Sequence, residues 1–406
     1  METSPRNVEG NLDVGLSAVR ARTVTSRLRR ITTSGRYVPE IDGLRFIAIA
    51  SVVLYHISAQ TRAGTVLASL PNPVVTAIGN GGRGVPLFFV ISGFILGMPF
   101  ANSFLLGKER VDLKRYFLRR VTRLEPPYIL VMLFRSAILI FILHSSLRAV
   151  LPSTFASLFY LHNLIFGHFS FINPPAWSLE IEIQFYCLAP LIAHLYFSIQ
   201  GAMRRRGICV AAILAGGVAH DYFAAISPRV EWSIVCHFQY FLAGFLLVDL
   251  FITDWARIPR HWLWDGASLL FWAWIFWDAE ERVHYFLPLL IVAAFVAAFK
   301  GPLSSRFFRF SWVSLIGGMC YSIYLTHNLA ISLIGMAFDR LHVLQPLTGW
   351  ELLVPTFLAC LALTLVFGVG LYLLVERPCM DKDWPEKLVR AAKGRLRVRE
   401  SAVPSA

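Results

Sequence analysis

Long apolar runs, interrupted only by isolated polar residues, recur along most of the chain. Runs of about 20 mostly apolar residues can cross the hydrocarbon core of a bilayer as α-helices. The pattern therefore predicts an all-α, polytopic integral membrane protein. The stretch 151–166 is too broken for a clear span and fits a short interfacial or re-entrant helix. The ten predicted spans are 44–61, 85–102, 126–146, 174–198, 207–225, 234–252, 262–278, 284–300, 312–337 and 350–375.

The composition agrees with a membrane protein. Of the 406 residues, 56% are hydrophobic and only 16% are charged, whereas soluble domains have about 25% charged residues. The formal net charge of +13 would suit a nucleic-acid-binding protein. The basic residues follow the loops, however, and do not form one patch, so we expect no nucleic-acid partner.

Lysine and arginine are divided unequally between alternate loops. With a cytosolic N-terminus, 31 of them fall in cytosolic segments, 6 in external segments, and Arg135 lies inside a span. Cytosolic loops are the ones expected to carry this excess. We therefore predict both termini in the cytosol and a multi-pass protein of the plasma or inner membrane. The predicted parts are a disordered basic tail at 1–36, a transmembrane domain at 37–378 and a basic tail at 379–406.

The first span carries two ionisable residues, Arg45 near its start and His56 deep inside it. The 11 positions between them make roughly three helical turns, so both side chains share one face, about 16 Å apart along the axis. Ionisable groups are costly in lipid and normally face a protein interior or a wet cavity. His56 is either a neutral packing residue with one hydrogen bond or part of a functional site.

Two further spans contain polar side chains at helical spacing. Glu182 shares a face with Ser178 and Tyr186, four positions to either side, and His327 follows Tyr324 at a spacing of three. Each has an ordinary explanation, because Glu182 could be solvated at the membrane surface and a lone histidine usually packs. Together they are candidates for a polar cavity within the membrane.

The segment 108–125 is basic and amphipathic, with Arg120 and Arg123 on one face. Such a helix can lie on anionic lipid, and paired arginines can also bind phosphates. Six cysteines show neither metal nor disulfide spacing, so we expect no metal site.

Short motifs built on these polar positions occur in six places between residues 42 and 378. Each motif is weak by itself. They are Asp42-Gly-Leu-Arg45 with His56; Phe88-Phe89-x-x-Ser92-Gly93-Phe94; Arg119-Arg120-x-x-Arg123-Leu-x-Pro-x-Tyr128; Trp177-Ser-Leu-x-x-Glu182-x-x-Phe185-Tyr186 with Pro190; Gly318-x-x-Tyr321-Ser-x-Tyr324-Leu-x-His327; and Glu376-Arg377-Pro378.

Taken together and in this order, the motifs resemble those of the acyltransferase-3 family of integral membrane proteins. The resemblance implies ten transmembrane helices and transfer of an acyl group, usually acetyl, to a hydroxyl of a carbohydrate or glycolipid acceptor. Some members carry a fused extracytoplasmic SGNH domain, and this chain, which ends at Ala406, resembles the stand-alone type. No permanently bound cofactor is expected.

The family resemblance suggests roles for the polar residues. Cytosolic acyl-coenzyme A, with acetyl-coenzyme A as the expected form, would place its phosphates on Arg45, Arg120 and Arg123. His56 would act as general base or accept the acyl group itself, supported by Glu182 or His327. The alternative is an exporter or carrier of a glycan or lipid-linked intermediate, in which the same residues would relay protons. The sequence leaves the acceptor and the oligomeric state open.

The charge asymmetry makes the topology testable. A reporter fused after Arg206 should be active in the cytosol, and one inserted near Pro228 should be active outside, because these positions flank the fifth predicted span. Paired cytosolic and external reporters check this, and the opposite sidedness at both positions would contradict the topology.

Overall fold

Ten long α-helices dominate the part of the chain that the structure, a computed structural model, describes. The described residues are 28, 30, 38–67, 72–278, 282–341, 349–381, 383, 384 and 386. The long helices are α1 (Pro39–Gln60), α2 (Gly84–Leu106), α3 (Leu113–Ala137), α4 (Trp177–Phe197), α5 (Ala202–Ala224), α6 (Ile234–Thr253), α7 (Leu263–Trp277), α8 (Leu287–Lys300), α9 (Cys320–Leu341) and α10 (Trp350–Leu371).

Short helices fill the connections between the long ones. Turns of 3-10 helix lie at Asn80–Arg83, Pro174–Ala176, Trp255–Arg257 and Arg282–Tyr285. The short α-helices are Ala63–Leu67, Asn72–Gly79, Leu147–Leu158, His162–Phe166, Pro228–Glu231, Pro302–Phe308, Ser311–Gly318 and Arg377–Cys379. No β-strand occurs among the described residues, so the all-α prediction is confirmed.

Each predicted span overlaps one of the ten long helices, but not all of these helices meet the requirements for crossing a bilayer. Within the described residues six segments are long and apolar enough, and they contain α1, α2, α3, α5, α6 and α10. A seventh is added if α8 and Pro302–Phe308, which meet at an angle of 96°, form one span. The fold is therefore that of a multi-pass membrane protein, whereas ten spans and two cytosolic termini remain predictions.

The structure refines two of the predicted segments and describes little of the two predicted tails. The ninth predicted span is divided at Met319 into Ser311–Gly318 and α9. The stretch 151–166 falls on Leu147–Leu158 and His162–Phe166, of 12 and 5 residues, each too short to cross a bilayer alone. Apart from residues 28 and 30, the predicted tail at 1–36 lies outside the described residues, as does most of the tail at 379–406.

Helix α2 packs closely against α6, and α1 lies beside this pair. Gly93 and Gly244 face each other at the α2–α6 contact, where a Cβ atom on either would overlap main-chain atoms of the other helix. Small residues allow membrane helices to approach in this way. Helix α1 contacts α2, α9 and Ser311–Gly318, which places its polar residues inside the protein.

A buried ion-pair network joins α5 to α6. The fully buried Asp249 accepts hydrogen bonds from Arg205 at 2.5 and 2.9 Å and from Arg206 at 3.1 Å. Tyr196 of α4 donates a further bond to Asp249 at 3.0 Å. Arg206 also binds Asp254 in the turn after α6, and this hydrogen bond lowers the pKa of the Asp254 carboxyl. Three helices are therefore fixed to one another at the predicted cytosolic side.

Two helices end in a π-helical turn. Residues Ile138–Ile142 continue α3, and Tyr372–Glu376 continue α10. A π turn contains one residue more than the corresponding α-helical turn and changes the direction of the side chains that follow. The second turn ends at Glu376, which is fully buried.

The glycine contact between α2 and α6 predicts a stability effect. Gly244→Ala should lower the unfolding free energy by about 1–3 kcal/mol, because the added methyl group meets backbone atoms that cannot rotate away. Thermal unfolding in detergent, followed by tryptophan fluorescence, measures this change.

Gly370→Ala is the matched control. Gly370 also lies in a helix interior, but a Cβ there meets no atom within 4 Å, and alanine is the better helix former by about 0.5–1 kcal/mol. Equal melting temperatures for Gly244→Ala and Gly370→Ala would show that the contact between the two helices does not limit stability.

Candidate functional site

Two histidines from different helices meet in the interior. The ring centroids of His56 on α1 and His327 on α9 are 4.9 Å apart, and the rings are inclined at 69°. His327 is fully buried, whereas His56 is partly exposed. The sequence indicated both residues, and the packing of α1 against α9 brings them together.

Hydrogen bonds to the backbone fix which ring nitrogen carries the proton in the neutral form of each histidine. His56 Nδ1 lies 2.8 Å from Val52 O, and His327 Nδ1 lies 2.7 Å from Tyr324 O. A carbonyl oxygen only accepts, so Nδ1 must donate, and Nε2 keeps its lone pair. His327 Nε2 is buried and has no hydrogen-bond partner among the described residues. The pair therefore offers two nitrogen atoms that can accept a proton.

Tyr324 connects this pair to the start of α4. Its ring centroid lies 5.6 Å from that of His327. Its hydroxyl group lies 2.7 Å from Ser178 Oγ and donates to Pro175 O. Tyr321, which belongs to the same motif and lies three residues earlier on α9, instead donates to Leu124 O at 2.8 Å. Of these two tyrosines, Tyr324 is thus the one beside the histidines.

Glu182 forms a second polar group, between α2 and α4. One of its oxygens, Oε1, accepts hydrogen bonds of 2.5 Å from both Ser92 and Tyr186. The predicted common face of Glu182 and Tyr186 is present. In the described part of the chain Glu182 makes no hydrogen bond to His56 or His327, so its supporting role in catalysis stays a prediction.

The three predicted phosphate-binding arginines have different surroundings. Arg45 pairs with Asp42 at 2.5 Å, and Asp42 also accepts from Arg30 at 3.2 Å. Arg123 lies 3.8 Å from the carboxylate of Glu376. These carboxylates offset part of the positive charge of both arginines.

Arg120 has no carboxylate within ion-pair distance among the described residues. Its guanidinium stacks over the ring of Tyr116, 3.6 Å from the centroid, and donates to Tyr116 O at 2.8 Å. It also faces the ring of Tyr186 at 5.7 Å. Of the three arginines, Arg120 therefore retains the most capacity to bind an anion.

Sequence reasoning missed a polar chain beside the histidines. Arg135, near the end of α3, donates to Ile172 O and to Asn328 Oδ1 at 3.0 Å. The Asn328 amide in turn donates to Gln60 Oε1 at 3.1 Å. The available signal was a single arginine in an apolar run. The ion pairs of Arg45 with Asp42 and of Arg123 with Glu376 were also not predicted, although Asp42 and Glu376 both belong to the motifs.

The described residues hold no group of three or more His, Cys, Asp or Glu side chains arranged for a metal ion. The candidate site presents imidazole, carboxylate, phenol and guanidinium groups.

Comparisons with known proteins bear on this site. A family model described as an acyltransferase domain matches residues 38–373. A Staphylococcus aureus (strain COL) protein named "Putative O-acetyltransferase" is 25% identical over 376 residues, covering 84% of this chain and 57% of that protein. O-acetyltransferase OatA of S. aureus (strain NCTC 8325) is 24% identical over 326 residues, covering 72% of this chain and 50% of the relative. The chain thus spans about half the length of these curated relatives. No solved structure matches it significantly.

Proposed function

Because the chain belongs to the acyltransferase-3 family, we propose that it is a membrane-bound O-acyltransferase acting on a hydroxyl of a carbohydrate or glycolipid. The names of the relatives favour acetyl as the acyl group. The observation that carries the proposal is the histidine pair, in which both Nε2 atoms keep a lone pair. A hydroxyl is a weak nucleophile until a base removes its proton, and imidazole is suited to do so near neutral pH.

His56 is the proposed general base, because it is the partly exposed member of the pair. Its Nε2 takes the proton of the acceptor hydroxyl while the hydroxyl oxygen bonds to the carbonyl carbon of an acyl thioester. The carbon–sulfur bond then breaks, and the leaving thiolate receives the proton from His56. The products are an ester and a thiol, and His56 returns to its neutral form. His327 supports the position of the His56 ring.

The proposed donor is cytosolic acyl-coenzyme A, with its phosphates at Arg45, Arg120 and Arg123. Arg45 and His56 stand on one helix, 11 residues apart, which corresponds to about 16 Å. A pantetheine arm has a similar length, so a donor held at the cytosolic side could present its thioester at His56. An acceptor could then approach from the external side.

Glu182 has a proposed role at the donor site. Its carboxylate holds Tyr186, and the ring of Tyr186 faces the guanidinium of Arg120. We propose that Glu182 orients this ring and arginine toward the donor, and that its catalytic contribution is indirect.

Removing the base should abolish the reaction. His56→Ala should lower the rate of ester formation by about 10²–10⁴-fold, as expected for loss of a general base. The assay supplies acetyl-coenzyme A to the purified protein and measures thiol release, while mass spectrometry counts acetyl esters on envelope glycans of cells with and without the protein.

His237→Ala is the matched control for lost packing. His237 is also a buried histidine whose Nδ1 donates to a backbone carbonyl, Ser233 O at 3.1 Å, but it lies outside the pair. Near-normal activity of a well-expressed His56→Ala protein would refute the general-base role. If the wild-type protein promotes glycan export but adds no esters, the result would favour the alternative function as an exporter or carrier.

The arginine surroundings predict unequal effects on donor binding. Arg120→Ala should weaken binding of acetyl-coenzyme A about tenfold or more, because one charge-assisted bond contributes roughly 1.5–3 kcal/mol. Arg45→Ala and Arg123→Ala should weaken binding less, because Asp42 and Glu376 already offset part of the charge of these arginines. Arg→Lys should recover only part of the affinity, because lysine lacks the planar fork. Titration of the detergent-solubilised variants measures this.

Arg119→Ala separates donor binding from anchoring to lipid. Arg119 is the exposed neighbour of Arg120 on the same helix, so it should affect membrane retention without changing donor affinity. Wild-type affinity in both Arg45→Ala and Arg120→Ala would refute the donor site.

A further inference from the structure

Arg135 is an interior cation without an anionic partner. Its guanidinium donates to Ile172 O and Asn328 Oδ1, and its third nitrogen, Nη1, is buried without a hydrogen-bond partner among the described residues. No carboxylate in the described part of the chain forms an ion pair with it. Arg135 is partly buried, and an unpaired charge in a membrane-spanning segment is costly, so this arrangement calls for a function.

Other arginines in the interior have at least a partial anionic counter-charge. Carboxylates lie within ion-pair distance of five of them, and these pairs are Arg45–Asp42, Arg83–Asp278, Arg123–Glu376, Arg205–Asp249 and Arg206–Asp249. Arg120, which lacks such a pair, stacks on Tyr116. Arg135 has neither a carboxylate nor a stacked ring among its described contacts. Its charge therefore lacks the compensation that the other arginines have.

The hydrogen-bond chain places Arg135 beside the histidine pair. Asn328 directly follows His327 on α9, and Gln60 lies one helical turn after His56 on α1. The chain Arg135–Asn328–Gln60 therefore joins the same two helices that bring the histidines together.

We propose that Arg135 is a further catalytic residue, whose Nη1–H group stabilises the oxyanion formed during acyl transfer. This inference rests on the proposed function. When the acceptor oxygen bonds to the thioester carbon and its proton passes to His56, the carbonyl π electrons move to oxygen. The resulting negative charge accepts a hydrogen bond from Arg135. Breakage of the carbon–sulfur bond restores the carbonyl, releases the thiolate and ends this interaction.

A charged donor of this kind acts mainly on the transition state. Such groups are effective in a water-poor site because they are already oriented when the charge develops. Ile172 O and Asn328 Oδ1 accept from Nε and Nη2 and so hold one edge of the guanidinium, while Gln60 accepts from the Asn328 amide and fixes its orientation. Nη1 is left without a hydrogen-bond partner among the described residues.

The test compares Arg135→Gln and Arg135→Lys with the wild-type full chain, using acetyl-coenzyme A as the probe and thiol release as the signal. Arg135→Gln should lower kcat about 10²-fold or more, as for loss of one oxyanion donor, and leave KM within about threefold. Arg135→Lys should retain more activity than Arg135→Gln. Guanidinium chloride at millimolar concentration should restore part of the activity of Arg135→Ala, which a structural role would not allow.

Asn328→Asp provides a second variant that does not depend on truncating the arginine. It keeps the side-chain shape and places a carboxylate against Arg135, so it should preserve folding and lower kcat about tenfold or more, because the charge is then already paired. Arg83→Gln is the matched control, since Arg83 also binds a backbone carbonyl, Ile275 O at 2.6 Å, and it should not alter kcat.

The outcomes distinguish this inference from the function on which it rests. A folded Arg135→Gln protein with wild-type kcat would overturn the inference and leave the proposed function intact. A rise in KM with unchanged kcat would also overturn it, because it would assign Arg135 to an anionic group of the bound substrate. If the wild type released no thiol, ester counts on envelope glycans would serve as the readout, and equal counts with and without the wild-type protein would overturn both proposals.

Discussion

Lipid offers no partner to a charged group, and this constraint governs the arrangement of the interior. A charge that enters the membrane region must meet an opposite charge, a polar side chain or a substrate. The network around Asp249 meets the requirement within the protein and holds three helices together. The pairs at Arg45 and Arg123 meet it in part. The requirement is met least at the histidine pair and at Arg135. These groups keep nitrogen atoms that could bind a substrate or exchange a proton with it.

Helix α1 links the two proposed functional regions, the donor-binding arginines and the histidine pair. Its first turns carry the arginine and aspartate at the predicted cytosolic side, and its last turns carry His56 and Gln60. Helix α1 packs against α2, which is itself in close contact with α6. A helix that is polar at both ends keeps a fixed distance between the proposed donor-binding arginine and the proposed base, without requiring a large movement during the proposed reaction.

Local features of this protein could be predicted from the sequence, whereas contacts between distant segments could not. Apolar runs located the long helices, and the spacing of four placed Tyr186 beside Glu182. Helical periodicity does not show which helices touch, so it gave no pairing of His56 with His327. The division at Met319 and the bend after α8 depend on local backbone geometry that an apolar pattern does not record. Arg135 looked like an exception to the pattern until its neighbours were known.

The π-helical turn at Tyr372–Glu376 sets the rotational phase of the end of α10. In an α-helix each residue advances the side-chain direction by about 100°, and the extra residue of a π turn adds one such step before Glu376. This phase directs the carboxylate to the backbone and hydroxyl of Ser322, at 3.2 and 2.6 Å. Deleting one residue from the turn would leave a continuous helix of nearly the same length. It would nevertheless rotate Glu376 away from Ser322. The number of residues in this segment, and not only their identity, therefore determines whether the Glu376–Ser322 hydrogen bonds form.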